Sequence, residues 1–237
     1  MSVVISKESI KRLIKDVKQL KLEPLHDQGI YYKHDEDDML KGHALIIGPK
    51  DTPYQNGFYF FELKFPVDYP FSPPKLTFLT QDGITRFNPN LYRSGKVCLS
   101  ILNTWRGEQW TSCQTISTIL LTLITVFNSK PLLNEPGVTE THTDFEKYNS
   151  ILEYKNYEVA IYGIVNNEKN QLFVDHFYDE IMVYFKDNYK LIKKNLQLLK
   201  KKHGGYSYLL TTNIYNMKCC INYSSIYNKL NDLYKNI

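Results

Sequence analysis

The sequence predicts an α/β fold of the α+β kind, with an N-terminal helix, a four-stranded antiparallel meander, a central core helix and a helical C-terminal extension. Apolar residues recur at helical spacing after Ser6 and again after Thr115. Between these stretches lie four short β-rich segments, separated by Asp, Gly and Pro clusters. Beyond residue 165 the chain has no proline and carries further apolar stripes, which indicates a folded appendage rather than a disordered tail.

Length and composition limit the class of protein. A chain of 237 residues with 43% hydrophobic residues can form one domain with an appendage, and we assign 1–160 to the main domain and 161–237 to a mostly helical extension packed on or beside it. Four cysteines without Cys-x-x-Cys spacing or a signal-like N-terminus favour a reducing, intracellular location, cytoplasmic or nuclear. The longest uncharged run, 109–129, is too polar for a membrane span. We expect no cofactor and no metal.

The first helix begins after Ser6, a suitable N-cap. Its apolar stripe consists of Ile10, Leu13, Ile14, Val17 and Leu20. The opposite face is basic and includes Lys11, Arg12 and Lys15. By charge patterning this face is typical of a solvated surface, and the alternative is a docking site for an acidic partner.

The four strands are expected at 29–34, 40–48, 58–65 and 75–78. Short turns between them predict an antiparallel meander. The third strand has aromatic residues at both odd and even positions, which predicts a sheet that is partly covered on both faces.

The remaining elements are read as helices. Residues 115–127 form the central core helix, which is rich in β-branched residues and therefore needs burial to be stable. Another helix runs from about residue 143 to 159. In the extension we expect helices at 172–185 and 191–202, ended by two consecutive glycines. The apolar stripe of a final helix is Ile226, Leu230, Leu233 and Tyr234.

One stretch, 87–102, carries the candidate chemistry. An Asn-Pro-Asn turn at 88–90 precedes Cys98 by eight residues, and an apolar run follows the cysteine. This pattern places a thiol at a junction between loop and core that a partner can reach. Taken alone, a free cysteine is more often a small buried hydrophobic residue.

This spacing, followed by Cys-Leu-x-Ile-Leu, resembles the active site of ubiquitin-conjugating enzymes. The blocks at 48–57 and 65–75 are similar to two further family blocks in the same order, and the resemblance covers about 7–160. The lengthened loop at 104–109 and the segment 134–137 resemble the Z-type subfamily, which also has a C-terminal extension. The resemblance implies the ubiquitin-conjugating (UBC) fold.

The resemblance also implies the reaction. Cys98 would accept ubiquitin or a ubiquitin-like protein as a thioester from an ATP-consuming activating enzyme and pass it to a substrate lysine, directly or through a RING- or HECT-type ligase. Asn90 matches the family residue that stabilises the oxyanion, and Glu135 matches an acidic gate residue. Asn88, where the family usually has histidine, and Pro89 would hold the turn. The alternative for Glu135 is a solvated loop carboxylate.

Two partner surfaces follow from the same resemblance. The basic first helix would bind the activating enzyme, and an exposed aromatic residue with the loop after Trp110 would bind the ligase. The residues concerned are Lys11, Arg12, Lys15, Phe71, Ser112 and Cys113. Thr111-Ser112-Cys113 stands where many family members have Ser-Pro-Ala, which predicts unusual ligase pairing. For Phe71 the alternative is a ring packed under its own loop.

Two other functions compete with this reading. One is a catalytically inactive ubiquitin-binding or scaffold protein, against which the presence of Cys98 argues. The other is nucleic-acid binding through the tail, since residues 166–237 carry 11 Lys and Arg but 6 Asp and Glu. Lysines at the C-terminal end of a helix also stabilise its dipole, and we therefore expect no nucleic-acid partner.

Overall fold

The structure is a computed structural model that describes residues 5–167 and 172–237. Residues 1–4 of the main domain and 168–171 of the expected extension lie outside this description. The helices are α1 (Lys7–Leu22), α2 (Ile116–Ile124), α3 (Phe145–Lys155), α4 (Leu172–Asp175), α5 (Tyr178–Lys202) and α6 (Tyr223–Lys235). The strands are β1 (Ile30–His34), β2 (Lys41–Ile47), β3 (Phe58–Lys64), β4 (Lys75–Phe78), β5 (Tyr208–Thr212) and β6 (Met217–Ile221).

The first four strands form one antiparallel sheet in the order β1-β2-β3-β4, which confirms the predicted meander. Its register pairs Ile30 with Ile46 and Phe61 with Phe78. The N-terminal helix is also confirmed, because the Ser6 hydroxyl accepts a hydrogen bond from the backbone N–H of Ser9.

Both faces of the sheet are covered, and β3 shows this most clearly. On the inner face, the rings of Tyr59 and Phe61 lie against Phe127, with centroids 4.7 and 6.3 Å apart. On the outer face, the Phe60 ring lies 4.9 Å from Phe173 and 6.0 Å from Phe177, which belong to the extension. The aromatic residues on both sides of the strand are therefore core residues of two different layers.

The core helix α2 begins at a capping box in which Thr115 and Thr118 bond reciprocally. It ends at Ile124, three residues before the expected end, and the chain then turns through single-turn hydrogen bonds. Ile116, Ile119, Leu120 and Leu123 are completely buried, as the β-branched composition of the helix requires, whereas Leu121 is exposed.

The extension differs from the expectation in two ways. Residues 178–202 form one continuous helix rather than two, because Phe185, Tyr189 and Ile192 continue a single buried stripe through its middle. A β-hairpin, β5–β6, then precedes α6 where the sequence reading assigned no strand. Strand β6 alternates strictly between buried and exposed residues, which is the period-two signal of a strand on a core.

After α3 the chain continues through a π-helical segment, Asn156–Gly163. The hairpin packs against α3, and α6 packs against both α5 and the π-helical segment. Within the residues that the structure describes, no helix has the length and apolarity needed to cross a membrane.

Candidate active site

The side chain of Asn88 is the centre of the turn at 88–90. It is completely buried, and its Nδ2 donates hydrogen bonds to the Tyr54 hydroxyl (3.0 Å) and the Val126 carbonyl (2.7 Å). Its Oδ1 accepts from the backbone N–H of Asn90 (2.9 Å) and from Nδ2 of Asn134 (3.1 Å). All the usual hydrogen-bonding positions of a carboxamide are thus occupied, so the side chain can hold only one orientation.

Arg86 braces the same turn from outside. Its Nε donates to the Asn88 carbonyl (3.1 Å) and its Nη2 to the Pro89 carbonyl (2.7 Å). Its guanidinium carbon lies 3.4 Å from the centroid of the Tyr92 ring, in a cation–π contact. Sequence reasoning did not single out Arg86, although an arginine two residues before a proline-containing turn can reach its unpaired carbonyls.

Asn90 and Cys98 lie side by side. The Cys98 N–H donates to the Asn90 carbonyl (2.9 Å), and Nδ2 of Asn90 donates to the Cys98 carbonyl (2.7 Å). The pairing of Leu91 with Val97 closes the loop between them. A carboxamide nitrogen carries two N–H groups. One of them bonds to the Cys98 carbonyl, and the other can donate to an oxygen atom that lies next to Cys98.

The Cys98 residue is only 1% exposed. The thiol is therefore buried in this structure, whereas the sequence predicted one that a partner can reach. A shallow groove lies beside it. The residues that line this groove are Asn90, Leu99, Ser100, Trp105, Thr122, Thr125, Val126 and Asn134. The lengthened loop at 104–109 therefore supplies one wall through Trp105.

Glu135 is half-buried and follows a helical turn, Pro131–Asn134. Its Oε2 accepts a hydrogen bond from the hydroxyl of Tyr215 (2.5 Å), which lies at the tip of the β5–β6 hairpin. Burial, together with this carboxylate, raises the pKa of Tyr215. The preceding residue, Asn134, lines the groove and bonds to Asn88. The gate candidate is thus connected to the turn through its neighbour and is not a free loop carboxylate.

The three basic residues predicted to bind the activating enzyme are in different environments. Lys11 and Lys15 are exposed on α1. Arg12 is half-buried, and its Nε pairs with Asp16 at 2.9 Å. Its two terminal nitrogens donate to the backbone carbonyls of Ser112 and Gln114, so Arg12 connects α1 to the loop that precedes α2.

The three residues of the candidate ligase surface all lie at the protein surface. Phe71 is 72% exposed and not packed under its loop, and Ser112 and Cys113 are also exposed. The loop of Phe71 is joined to the second loop because the Trp110 indole N–H donates to the Pro70 carbonyl (2.7 Å). The structure therefore holds both loops in a fixed relation to each other.

Comparison with known proteins gives a family match. A family model described as "Ubiquitin-conjugating enzyme" matches residues 12–159. This range contains both the turn at 88–90 and Cys98. The UBC fold predicted from the sequence is confirmed by this match together with the four-stranded antiparallel sheet.

The relatives include proteins named "Ubiquitin-conjugating enzyme E2 Z". The one from Xenopus tropicalis is 35% identical over 217 residues, covering 86% of this chain and 68% of that protein. The human one is 37% identical over 213 residues, covering 83% and 59%. The one from Danio rerio is 42% identical over 159 residues, covering 66% and 48%. The chain spans about half to two thirds of the length of these relatives.

Proposed function

Because the chain belongs to the ubiquitin-conjugating enzyme family, we propose that Cys98 accepts ubiquitin or a ubiquitin-like protein as a thioester and passes it to a substrate lysine. The observation that supports Cys98 is its pairing with Asn90 through two hydrogen bonds, beside an open groove. Such a groove can hold an extended peptide tail next to the thiol.

In the first step, the Cys98 thiolate attacks the thioester carbonyl between the modifier and an activating enzyme. A new C–S bond forms at Cys98 while the old C–S bond breaks, and the activating enzyme leaves as a thiolate. Exchange between two similar thiols is nearly isoenergetic, so this step needs access and positioning more than a dedicated base.

In the second step, a lysine nitrogen attacks the thioester carbonyl, and negative charge develops on its oxygen. The second N–H of Asn90 can donate to this oxyanion, a contribution that is typically worth about 10²-fold or more in rate. Glu135 accepts the proton that the lysine loses, and the C–S bond breaks to release the Cys98 thiolate and an amide product. Both roles depend on the loop that Asn88 and Pro89 hold in place.

The partner surfaces follow from the same family assignment. Lys11 and Lys15, with Arg12 beside them, would bind an acidic surface of the activating enzyme. Phe71 with Ser112 and Cys113 would bind a ligase, and the altered loop sequence would restrict which one. We place the reaction inside the cell, in the cytoplasm or the nucleus, because the reducing environment there keeps thiols in their reduced form.

The competing functions are not favoured. The family match and the intact Cys98 loop argue against an inactive scaffold. Three of the basic residues of the tail, at 200–202, occupy the last turn of α5, where they stabilise the helix dipole.

The proposal is tested by incubating the protein with an activating enzyme, ATP and ubiquitin or a related modifier. We expect a larger species that a thiol reductant removes and that Cys98→Ala abolishes. Cys220→Ala is the matched control, since this exposed cysteine lies in the hairpin, away from the site, and should leave charging unchanged. If a panel of activating enzymes gives no such species, or if Cys98→Ala still gives it, the proposal is wrong.

Asn90→Ala separates the oxyanion role from a structural one. We expect normal charging followed by discharge to free lysine that is slower by about 10²-fold. If charging falls by the same factor, the bond from Nδ2 to the Cys98 carbonyl matters only for the shape of the loop. Glu135→Ala should raise the pH that discharge requires, and an unchanged pH profile would exclude its proton-accepting role.

A further inference from the structure

The tip of the β5–β6 hairpin reaches the active-site loops from the C-terminal extension. Tyr215 stands at this tip with φ of 59°, and Asn216 follows with φ of 46°. Both are in the left-handed region, which is unfavourable for residues with a Cβ atom. Surrounding contacts must therefore hold this conformation.

Those contacts come from the main domain. A carboxylate oxygen of Asp144, which is buried, accepts hydrogen bonds from the backbone N–H groups of Asn213 and Ile214, both at 2.9 Å. The backbone N–H of Arg86 donates to the Met217 sulfur (3.4 Å). The hairpin tip is thus hydrogen-bonded on both sides of Tyr215. Asp144, just before α3, holds the residues that precede it, and Arg86, just before the turn at 88–90, holds Met217.

Tyr215 itself contacts three parts of the site. Its hydroxyl donates to Oε2 of Glu135 (2.5 Å), and its carbonyl accepts from the Arg93 guanidinium. Its ring lies 5.0 Å from the guanidinium carbon of Arg86, which also holds the carbonyls of Asn88 and Pro89. One residue of the extension therefore contacts both the gate carboxylate and the brace of the catalytic turn.

We propose that Tyr215 is a positioning residue for Glu135, so that the C-terminal extension completes the active site. Its hydroxyl binds Oε2 and fixes the rotation of the carboxylate, and the oxygen left for the proton of the attacking lysine is Oε1. This inference rests on the proposed function, in which Glu135 acts in the discharge step.

The two steps of the reaction should respond differently to loss of the hydroxyl. Thiol exchange moves no proton through Glu135, so charging of Cys98 does not depend on Tyr215. Discharge to lysine does depend on it, because a carboxylate that rotates freely spends less time in reach of the ammonium. The defect should therefore resemble that of Glu135→Ala, but should be smaller.

The test compares Tyr215→Phe with the unchanged protein, Glu135→Ala and the double variant, in single-turnover discharge of the preformed thioester to free lysine across a range of pH. We expect Tyr215→Phe to charge normally and to slow discharge at neutral pH by about 3- to 10-fold, the factor for one lost hydrogen bond. The pH profile should move toward higher pH, in the direction of Glu135→Ala. The double variant should be no slower than Glu135→Ala alone.

Two controls separate positioning from loss of structure. Tyr206→Phe removes a hydroxyl from an exposed tyrosine of the same extension and should leave discharge unchanged. Hydroxylamine is largely uncharged at neutral pH and needs no deprotonation before it attacks, and it is acidic enough to lose its proton to water after attack, so it should discharge Tyr215→Phe at the normal rate. A general distortion of the site would slow both nucleophiles.

The outcomes distinguish this inference from the proposed function. If the unchanged protein does not charge, the proposed function fails. If it charges and Glu135→Ala shifts the pH profile while Tyr215→Phe does not, only the role of Tyr215 is wrong. Additive effects in the double variant, or equal slowing with hydroxylamine, would also overturn it. A melting temperature of Tyr215→Phe close to that of the unchanged protein would show that the substitution does not unfold the protein under these conditions.

Discussion

At the scale of single residues, Asn88 shows how one buried carboxamide can hold the turn at 88–90. A carboxamide can donate twice and accept twice, and Asn88 uses these positions on Tyr54, Val126, Asn90 and Asn134. The turn is therefore fixed by buried hydrogen bonds, which are costly to leave unmade.

The four cysteines should differ in their reactivity toward a thiol-alkylating reagent. Cys113 and Cys220 are exposed, whereas Cys98 and Cys219 are buried. Burial raises the pKa of Cys219 to about 12, so this thiol is almost never ionised. We expect peptide mass spectrometry to show rapid labelling of Cys113 and Cys220, slower labelling of Cys98 as its loops open, and almost none of Cys219 in the native protein.

A denatured sample serves as the control for this experiment, because all four thiols should then be labelled at similar rates. Labelling of Cys98 as fast as that of Cys113 in the native protein would show that the loops around it do not restrict access.

At the scale of secondary-structure elements, α1 and the loop before α2 act as one unit. Arg12 pairs with Asp16 and donates to two loop carbonyls, and the Tyr69 hydroxyl donates to the other oxygen of Asp16 (2.5 Å). The helix that should bind the activating enzyme is thus connected to the loop that should bind a ligase.

Arg12→Ala should therefore lower stability as well as partner binding. It leaves the Asp16 carboxylate and two carbonyls without a cation, which should cost about 2 kcal/mol and lower the melting temperature by roughly 5 °C. Lys11→Ala and Lys15→Ala are the matched controls, because their side chains are exposed. Each should change the free energy of unfolding by less than about 1 kcal/mol. Equal melting temperatures for all three variants would mean that the Arg12 contacts do not stabilise the fold.

The stability that α3 contributes at its contact with the extension should depend on pH through Glu153. Burial of Glu153 on α3 raises its pKa, which the charge of Lys202 partly offsets. A carboxyl group whose pKa is higher in the folded than in the unfolded state favours folding below its unfolded pKa, about 4.3. That contribution is lost as the pH rises through the folded pKa.

Glu153→Gln should consequently raise the melting temperature at about pH 7 and have little effect near pH 4, where the natural side chain is protonated. Glu36→Gln provides the comparison, since this glutamate is exposed in the loop between β1 and β2. A stabilisation by Glu153→Gln of the same size at both pH values would contradict the ionisation argument.

At the scale of the whole molecule, the extension is part of the core. Phe177 has no exposed surface and lies on Phe60 of the sheet, while Tyr184 of α5 stacks edge-on against Phe58 and bonds to Asn56. The division at about residue 160 stays a prediction, but separating the two parts would expose these aromatic surfaces to water.

Phe177→Ala tests this packing. Deletion of a buried aromatic ring should cost about 3–5 kcal/mol and lower the melting temperature by roughly 10 °C. The neighbouring Tyr178 is 51% exposed, and Tyr178→Ala should have a much smaller effect, within about 1 kcal/mol. If the two variants have the same melting temperature, the extension does not stabilise the main domain through this contact.

The amino-acid sequence alone determined the elements that depend on neighbouring residues. The N-cap at Ser6, the four strands, the core helix and the resemblance around Cys98 are all written in short-range spacing. The hairpin was missed because β5 reads Tyr-Leu-Leu-Thr-Thr, in which apolar and polar residues do not alternate, and periodicity does not distinguish such a short segment from helix.

Only the tertiary structure decided which distant residues meet at the site. The hydrogen bond from Tyr215 to Glu135 spans 80 residues, and the bond from Arg12 to Ser112 spans 100. No local pattern marks these pairs, because their meeting depends on how whole elements pack rather than on the periodicity within one. The sequence therefore determined the turn at 88–90 and its spacing from Cys98, whereas packing placed the extension against Glu135.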